Sequence, residues 1–154
     1  MDVVIMMGSK SDMAVMEKAA GILKDFGVTF EVHVASAHRS PARVAQIIEK
    51  AHGAGVKVFI AAAGLAAHLA GVVASQTDRP VIGVPMDGGP LQGMDALLST
   101  VQMPGGVPVA GMAIGSPGAK NAAYMAVRIL ALSNPALAEK NRRFIQEQAN
   151  AVGL

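Results

Sequence analysis

The chain is 154 residues long, with 52% hydrophobic and 16% charged residues and a formal net charge of +2. Its basic residues are scattered and Trp is absent, so it lacks the basic stripe and stacking aromatics typical of nucleic-acid-binding proteins. The absence of Cys excludes disulfides and thiolate metal sites. The length predicts one catalytic domain over residues 1–154, and the apolar excess predicts buried contacts between subunits.

Alternating strand and helix patterns run along the whole chain. The predicted strands are short apolar runs of the kind that parallel sheets bury: VVIMM (3–7), the more alternating FEVHVA (30–35), KVFIAA (57–62), PVIGVP (80–85) and VPVAGMAI (107–114). The predicted helices have apolar stripes or small residues and recognisable ends: Ser11–Phe26 before Gly27, one from Ser40 and Pro41 to Gly53 or Gly55, one after residue 68, one capped by Asp95, Ala119–Leu132, and one opened by Asn134 and Pro135.

Five strands separated by helices predict a doubly wound α/β sheet, with three αβα layers and a C-terminal helix. In such a sheet the ligand binds beyond the carboxyl ends of the strands. The loops that follow the first four strands, 8–12, 36–40, 63–68 and 85–93, are therefore the places where a site is expected.

The most apolar segment, residues 58–74, is about long enough to span a membrane. Gly64, His68 and Gly71 interrupt it, so a buried strand, a small-residue loop and a helix explain it better. The opening residues, MDVVIMMG, have no basic segment before their apolar run and predict a strand rather than a signal peptide. We expect a cytoplasmic protein with no membrane segment.

The loop MGSKSD (7–12) has the composition of a phosphate-binding turn. Gly8 permits a sharp bend, and the hydroxyls of Ser9 and Ser11 lie beside free amides at a helix N-terminus. The carboxylate of Asp12 would repel a phosphate dianion, and it fits better as an acceptor for sugar hydroxyls. The alternative interpretation is that Ser11 and Asp12 only cap the helix.

The segment SAHRS (36–40) adds an anion-binding group and a proton-transfer group. Arg39 can bind an oxyanion through two parallel hydrogen bonds, and the hydroxyls of Ser36 and Ser40 are further donors. Histidine is the side-chain type that changes charge near neutral pH, which makes His38 a candidate general acid/base. The alternative is a helix-capping loop with a solvated His–Arg pair.

The small residues of AAAGLAAHLAG (61–71) allow a ligand to approach backbone amides that can bind a carboxylate. His68 is either a ligand contact or a buried histidine bonded to the main chain. His33 and His52 are predicted to be structural. No pair of histidines has a carboxylate at metal-ligand spacing, so no metal site is predicted.

The segment 85–109 is dense in Gly, Pro and Met, which suits either a lid over a site or a contact between subunits. An irregular surface loop is a poorer interpretation because the stretch is so apolar. Taken together, these residues predict a cofactor-free α/β enzyme that acts on a small phosphorylated molecule through histidine acid–base chemistry. They do not identify the substrate.

The motifs GSKSD, SAHRSP, AAHLAG and LLSTVQMPGGVPV, in this order and spacing, resemble those of the 5-(carboxyamino)imidazole ribonucleotide mutase family of purine biosynthesis. The resemblance extends from about Val3 to Leu130. It implies a flavodoxin-like fold, a homo-octamer with active sites at subunit contacts, and no metal or organic cofactor. The implied reaction is an isomerisation that moves a carboxylate from the exocyclic amine to carbon 4 of the imidazole.

The resemblance also implies residue roles. Matching positions in the family bind phosphate (Ser9, Ser11, Ser36, Arg39), contact ribose (Asp12), act as general acid/base (His38), and enclose the base and carboxylate (Ala63, Gly64, Ala66, His68, Leu69). We count His68 with His38 as a catalytic candidate. The family's proposed mechanism loses carbon dioxide from the carbamate, holds it in a pocket, and adds it to carbon 4 while the histidine handles the proton.

Two positions depart from the family pattern. Leu65 stands where the family usually has Gly, and Ala70 stands where it has Pro. A left-handed backbone at Leu65 would be costly, and its side chain could narrow the carboxylate pocket.

A second branch of the family carboxylates aminoimidazole ribonucleotide directly with carbon dioxide. Arg39 and the segment Ala66–Leu69 favour the mutase branch, while the altered loop around Leu65 keeps the carboxylase as the alternative. A third hypothesis is a non-catalytic nucleotide-binding module, which would keep Ser9, Ser11 and Arg39 without needing a histidine acid/base.

Overall fold

The structure is a computed structural model that describes residues 1–153. Its strands are β1 (Val3–Met7), β2 (Phe30–Val34), β3 (Val58–Ala63), β4 (Val81–Pro85) and β5 (Ala110–Gly111). Its helices are a short 3-10 helix (Lys10–Asp12), α1 (Met13–Phe26), α2 (Pro41–Gly53), α3 (Leu69–Ala74), α4 (Met94–Val101), α5 (Ser116–Ala131) and α6 (Pro135–Ala151).

Within the described chain, all strand pairs are parallel and the sheet has the order β2-β1-β3-β4-β5. This is the flavodoxin-like order, in which the chain moves outwards from β1 in one direction and then from β3 in the other. The predicted three-layer αβα fold with a C-terminal helix is therefore confirmed.

Strand β1 lies inside the sheet, between β2 and β3, and is fully buried. Successive side chains in a strand point to opposite faces, so β1 contributes to two cores. Val3, Ile5 and Met7 pack with α1, α5 and α6, whereas Val4 and Met6 pack with α2 and α3. This two-sided burial is why β1 is a continuous apolar run rather than an alternating one.

The edges of the sheet differ from the prediction. The predicted strand 107–114 is reduced to the two residues of β5, and Pro108, which has no N–H to donate to a neighbouring strand, lies shortly before it. On the other edge, β2 is less covered than predicted, and Glu31 and Val32 are exposed. Glu31 accepts a hydrogen bond from the ring of His33 at 3.0 Å, which agrees with a structural role for that histidine.

The start of α4 also differs from the prediction, since Asp95 does not cap it. Gly93 occupies the cap position at φ +86°, and a Cβ there would lie 2.8 Å from the Met86 carbonyl oxygen. Only glycine combines this backbone conformation with that close approach. The Asp95 carboxylate instead accepts from the Ala96 N–H, at 2.9 Å, inside the first turn.

The apolar segment 58–74 folds as the predicted strand, loop and helix: β3, residues 64–68 and α3. No helix in residues 1–153 is both long and apolar enough to cross a membrane.

Candidate functional site

A cavity of about 730 Å³ lies beyond the carboxyl ends of β1 to β4. Strand order reverses between β1 and β3, so the loops that follow these strands diverge and leave a crevice. Every predicted site residue except His68 lines this cavity: Ser9, Ser11, Asp12, Ser36, His38, Arg39, Ala63, Gly64, Ala66 and Leu69. The loops that the fold prediction singled out therefore meet at one place.

In the first loop, Ser9 caps the 3-10 helix that leads into α1. Its Oγ accepts from the Ser11 N–H at 3.3 Å and lies 2.8 Å from the Ser11 Oγ, within hydrogen-bond distance. Asp12 occupies the N-cap position of α1, but its side chain makes no capping hydrogen bond there. Both hydroxyls line the cavity beside the first amides of the helix, as the phosphate-binding interpretation requires.

Asp12 is the carboxylate of this loop, and it is partly buried. Burial raises the pKa of Asp12. Two hydrogen bonds lower it and only partly offset that effect: one from the Ser11 hydroxyl at 3.2 Å and one from the Ser9 backbone. A carboxylate that is harder to ionise in the folded protein costs stability wherever it carries charge. A sugar hydroxyl could add a further hydrogen bond to this carboxylate.

We expect Asp12→Asn to raise the free energy of unfolding slightly at pH 7. The raised pKa means that the folded protein holds the Asp12 proton more tightly than the unfolded chain, whose carboxyl has its ordinary value of 3.8. The stability cost is therefore present at neutral pH and disappears as the pH falls through the folded pKa towards 3.8. Water still reaches the group, so the gain is small.

Urea unfolding of both proteins between pH 3 and pH 8 measures this difference. Asp87→Asn is the matched control, since Asp87 is an exposed carboxylate that lines the same cavity. A gain for Asp12→Asn that is as large at pH 3 as at pH 7 would contradict the assignment.

The second loop holds His38 and Arg39 in a tight turn. Ser36 Oγ accepts from the Arg39 N–H at 3.2 Å. Ser40 Oγ accepts from the Ser36 N–H at 3.0 Å and donates to the Ser36 carbonyl at 3.1 Å. Ser40 therefore precedes α2 as predicted, but its hydroxyl closes the turn instead of capping the helix.

Arg39 lies between the two loops. One guanidinium nitrogen donates to the Gly8 carbonyl oxygen over a long 3.4 Å. No carboxylate in residues 1–153 lies within 4.0 Å of this guanidinium. Its positive charge therefore remains available to an anion bound beside the hydroxyls of Ser9 and Ser11.

His68 contacts His38 and does not line the cavity. The Nε2 atom of His38 and the Nδ1 atom of His68 are 2.8 Å apart, and the two rings meet edge to face. His68 is exposed, so the interpretation as a buried histidine bonded to the main chain is wrong. One ring must donate and the other accept, which fixes their tautomers relative to each other.

The loop after β3 adopts the left-handed conformation that its sequence makes costly. Leu65 has φ +57° and is 53% exposed, and it lines the cavity. This backbone conformation costs about 1–2 kcal/mol for a residue with a Cβ. Next to it, a Cβ on Gly64 would lie 3.3 Å from the Met86 Cβ, so the loops after β3 and β4 are closely packed.

The loop after β4 supplies site residues that were not predicted individually. Met86, Asp87, Gly88 and Gly89 all line the cavity. Residues 85–93 were predicted to lie near the site, but a Gly-rich loop gives no sign of which of its residues face a ligand. The one available signal was the position of this loop at the carboxyl end of β4.

His52 accepts from or donates to the Thr77 hydroxyl at 2.7 Å, away from the cavity. No group of three or more His, Cys, Asp or Glu in residues 1–153 is placed to hold a metal ion.

Comparison with known proteins identifies the relatives of this chain. A family model described as AIR carboxylase matches residues 2–151. The chain is 51% identical to the N5-carboxyaminoimidazole ribonucleotide mutase of Pyrococcus horikoshii, over 96% of this chain and 82% of that protein. It is 49% identical to the phosphoribosylaminoimidazole carboxylase of Saccharomyces cerevisiae, over 96% of this chain but only 26% of the yeast protein.

The fold has a close counterpart among solved structures. PurE from Treponema denticola superposes with a TM-score of 0.89 and 30% sequence identity, over 97% of this chain and 92% of that one.

Proposed function

The chain belongs to the AIR carboxylase family, and on that premise we propose that it is a 5-(carboxyamino)imidazole ribonucleotide mutase of purine biosynthesis. The observation that carries the proposal is the meeting of an anion-binding arginine, two serine hydroxyls and a histidine in one cavity. That set matches a ligand with a phosphate at one end and a carbon that must exchange a proton at the other. The whole chain, 1–154, would act as one catalytic domain.

The phosphate would bind between the loops that follow β1 and β2. Ser9 and Ser11 would donate from one side and Arg39 from the other, with Ser36 orienting Arg39 through the 3.2 Å contact to its N–H. Asp12 would accept from the ribose hydroxyls, in addition to the hydrogen bonds that its carboxylate accepts within its own loop. The sugar then directs the imidazole towards the loops that follow β3 and β4.

The reaction would proceed in two steps without a metal or organic cofactor. The bond between the exocyclic nitrogen and the carboxylate breaks, releasing carbon dioxide, and the nitrogen takes a proton from the His38 ring. Carbon 4 then forms a bond to the same carbon dioxide and gives its proton to His38. Proton gain and loss balance, so the net reaction is an isomerisation. Backbone amides of residues 63–66 are suited to binding the carboxylate as it forms.

His68 would act through His38. The 2.8 Å contact between Nε2 of His38 and Nδ1 of His68 holds the His38 ring and constrains which of its nitrogens carries a proton. Since His68 does not line the cavity, it is a positioning residue in this proposal, while His38 touches the reacting atom.

A direct carboxylase that takes carbon dioxide from solution is the alternative, favoured by the yeast relative and by the unusual residue at position 65. The test offers the purified protein the carboxyamino ribonucleotide without bicarbonate, and separately aminoimidazole ribonucleotide with bicarbonate. Efficient turnover of the first alone supports the mutase, and efficient turnover of the second supports the carboxylase. Binding of both without turnover would indicate a nucleotide-binding module.

The proposal includes a homo-octamer. Leu91, Met94, Leu98 and Val101 form an exposed apolar stripe along and just before α4, at helical spacing, and each is 44% exposed or more. Such a stripe on a small chain is typical of a subunit contact. Light scattering should give eight times the chain mass of 15.7 kDa. We also propose a cytoplasmic location, because a phosphorylated substrate of this kind is made and consumed inside the cell.

A further inference from the structure

Leu65 combines three features that are rarely found together. It has positive φ, it is more than half exposed, and it lines the cavity. Exposure means that burial of the leucine gives little to offset its backbone strain. Strained residues persist when the surrounding structure holds them, and they concentrate at functional sites.

The side chain of Leu65 lies directly against Gly89 in the loop after β4. A Cβ built on Gly89 would lie only 2.4 Å from the Leu65 Cδ2 atom, so the leucine occupies the space that any other residue at 89 would need. Gly89 itself is at φ +84°. The Leu65 side chain therefore links the loop after β3 to the loop after β4. No backbone hydrogen bond joins Leu65 to Gly89.

The position of this contact follows from the order of the strands. The candidate phosphate-binding residues come from the loops after β1 and β2, whereas Leu65 and Gly89 come from the loops after β3 and β4. The two pairs of loops lie on opposite halves of the sheet. A ribonucleotide anchored at Arg39 would thus extend its imidazole towards the Leu65–Gly89 contact.

We propose that Leu65 closes the imidazole end of the cavity against Gly89 and retains carbon dioxide between its release from nitrogen and its capture by carbon 4. This inference rests on the proposed mutase function. An apolar isobutyl group suits the task, because it blocks the gap between two loops and offers no hydrogen bond to the departing molecule.

Leu65→Ala and Leu65→Gly test the retention. Each variant is given the carboxyamino ribonucleotide together with ¹³C-bicarbonate, and the label in the carboxylated product is measured at early times against an enzyme-free blank. We expect several-fold more label, and more released aminoimidazole ribonucleotide per turnover, in both variants than in wild type. Leu132→Ala, which alters an 89% exposed leucine outside the cavity, should behave as wild type.

Unchanged label in both Leu65 variants would overturn the proposal. The glycine variant separates the side chain from the backbone, because it relieves the strain at φ +57° while removing the same isobutyl group. If only one of the two variants leaked, loop strain rather than the seal would be responsible, and the proposal would fail.

A double-mutant cycle tests the contact without any substrate. Gly89→Ala should lower the thermal unfolding midpoint more in wild type than in the Leu65→Gly background, since the strain of an alanine at φ +84° is common to both and only the clash with Leu65 differs. Equal losses would overturn the contact. A wild-type protein that converts no substrate would instead overturn the proposed function, and carbon dioxide retention with it. The double-mutant cycle would still measure the contact between Leu65 and Gly89.

Discussion

His38→Asn is expected to abolish turnover while ribonucleotide binding persists. Asparagine keeps a polar group of similar position but cannot accept and return the proton of carbon 4. Other residues of the cavity are proposed to hold the phosphate and ribose. Their hydrogen bonds with one another do not involve the His38 ring, so they should survive the substitution. Positioned acid–base groups contribute about 10²–10⁴-fold to rate, so kcat should fall by at least about 100-fold. Steady-state kinetics and calorimetric titration with aminoimidazole ribonucleotide measure the two effects separately.

The matched control is His52→Asn, which removes a histidine that contacts Thr77 outside the cavity and should leave kcat unchanged. Rates like those of wild type in His38→Asn would remove His38 from the mechanism. A parallel loss of binding and turnover would make it a binding residue instead.

His68→Gln separates positioning from proton transfer. Glutamine can still hydrogen-bond to the His38 ring, although its amide does not titrate. We expect a lower kcat with little change in KM, together with a shifted pH–rate profile, because a glutamine amide can present either its oxygen or its nitrogen to the His38 ring and so does not constrain that ring's tautomer as His68 does. An unchanged pH profile would show that the 2.8 Å contact between the rings has no part in the reaction.

The central architecture was predictable because burial on both faces of a parallel sheet demands continuous apolar runs. The continuous apolar run VVIMM predicts β1, because both faces of this strand are buried and its residues contribute to two cores. At the edges this rule weakens. β5 shrinks to two residues beside Pro108, and β2 leaves Glu31 and Val32 exposed, because an edge strand is constrained from fewer sides.

The site was predictable to the extent that its chemistry resides in side chains. Ser9, His38 and Arg39 could be named because hydroxyl, imidazole and guanidinium groups that follow parallel strands lie at the edge of the sheet where ligands bind. The loop after β4 could only be located, since Met86–Gly89 contribute mostly shape. The contact between His68 and His38 was not predictable either, because 30 residues separate them and only the pairing of β1 with β2 and β3 brings their loops together.

Arg39→Ala is expected to weaken ribonucleotide binding by roughly 10- to 100-fold, the equivalent of a charge-assisted hydrogen bond worth about 1.5–3 kcal/mol. The loss should be far smaller for the corresponding nucleoside, which has no phosphate. Titration of wild type and variant with both ligands gives the discrimination between them. If both proteins discriminated equally, Arg39 would not bind the phosphate.

Arg43→Ala is the matched control for this experiment. Arg43 lies one helical turn further along the chain, and with Arg39 it lines a neighbouring groove of about 410 Å³, but it does not line the cavity. Both variants remove one positive charge from the same surface, so they change the long-range field almost equally. A loss confined to Arg39→Ala would therefore reflect direct contact with the phosphate. Equal losses would mean that the phosphate is attracted by the basic surface as a whole, and that the turn closed by Ser36 and Ser40 has no part in aiming a guanidinium at it.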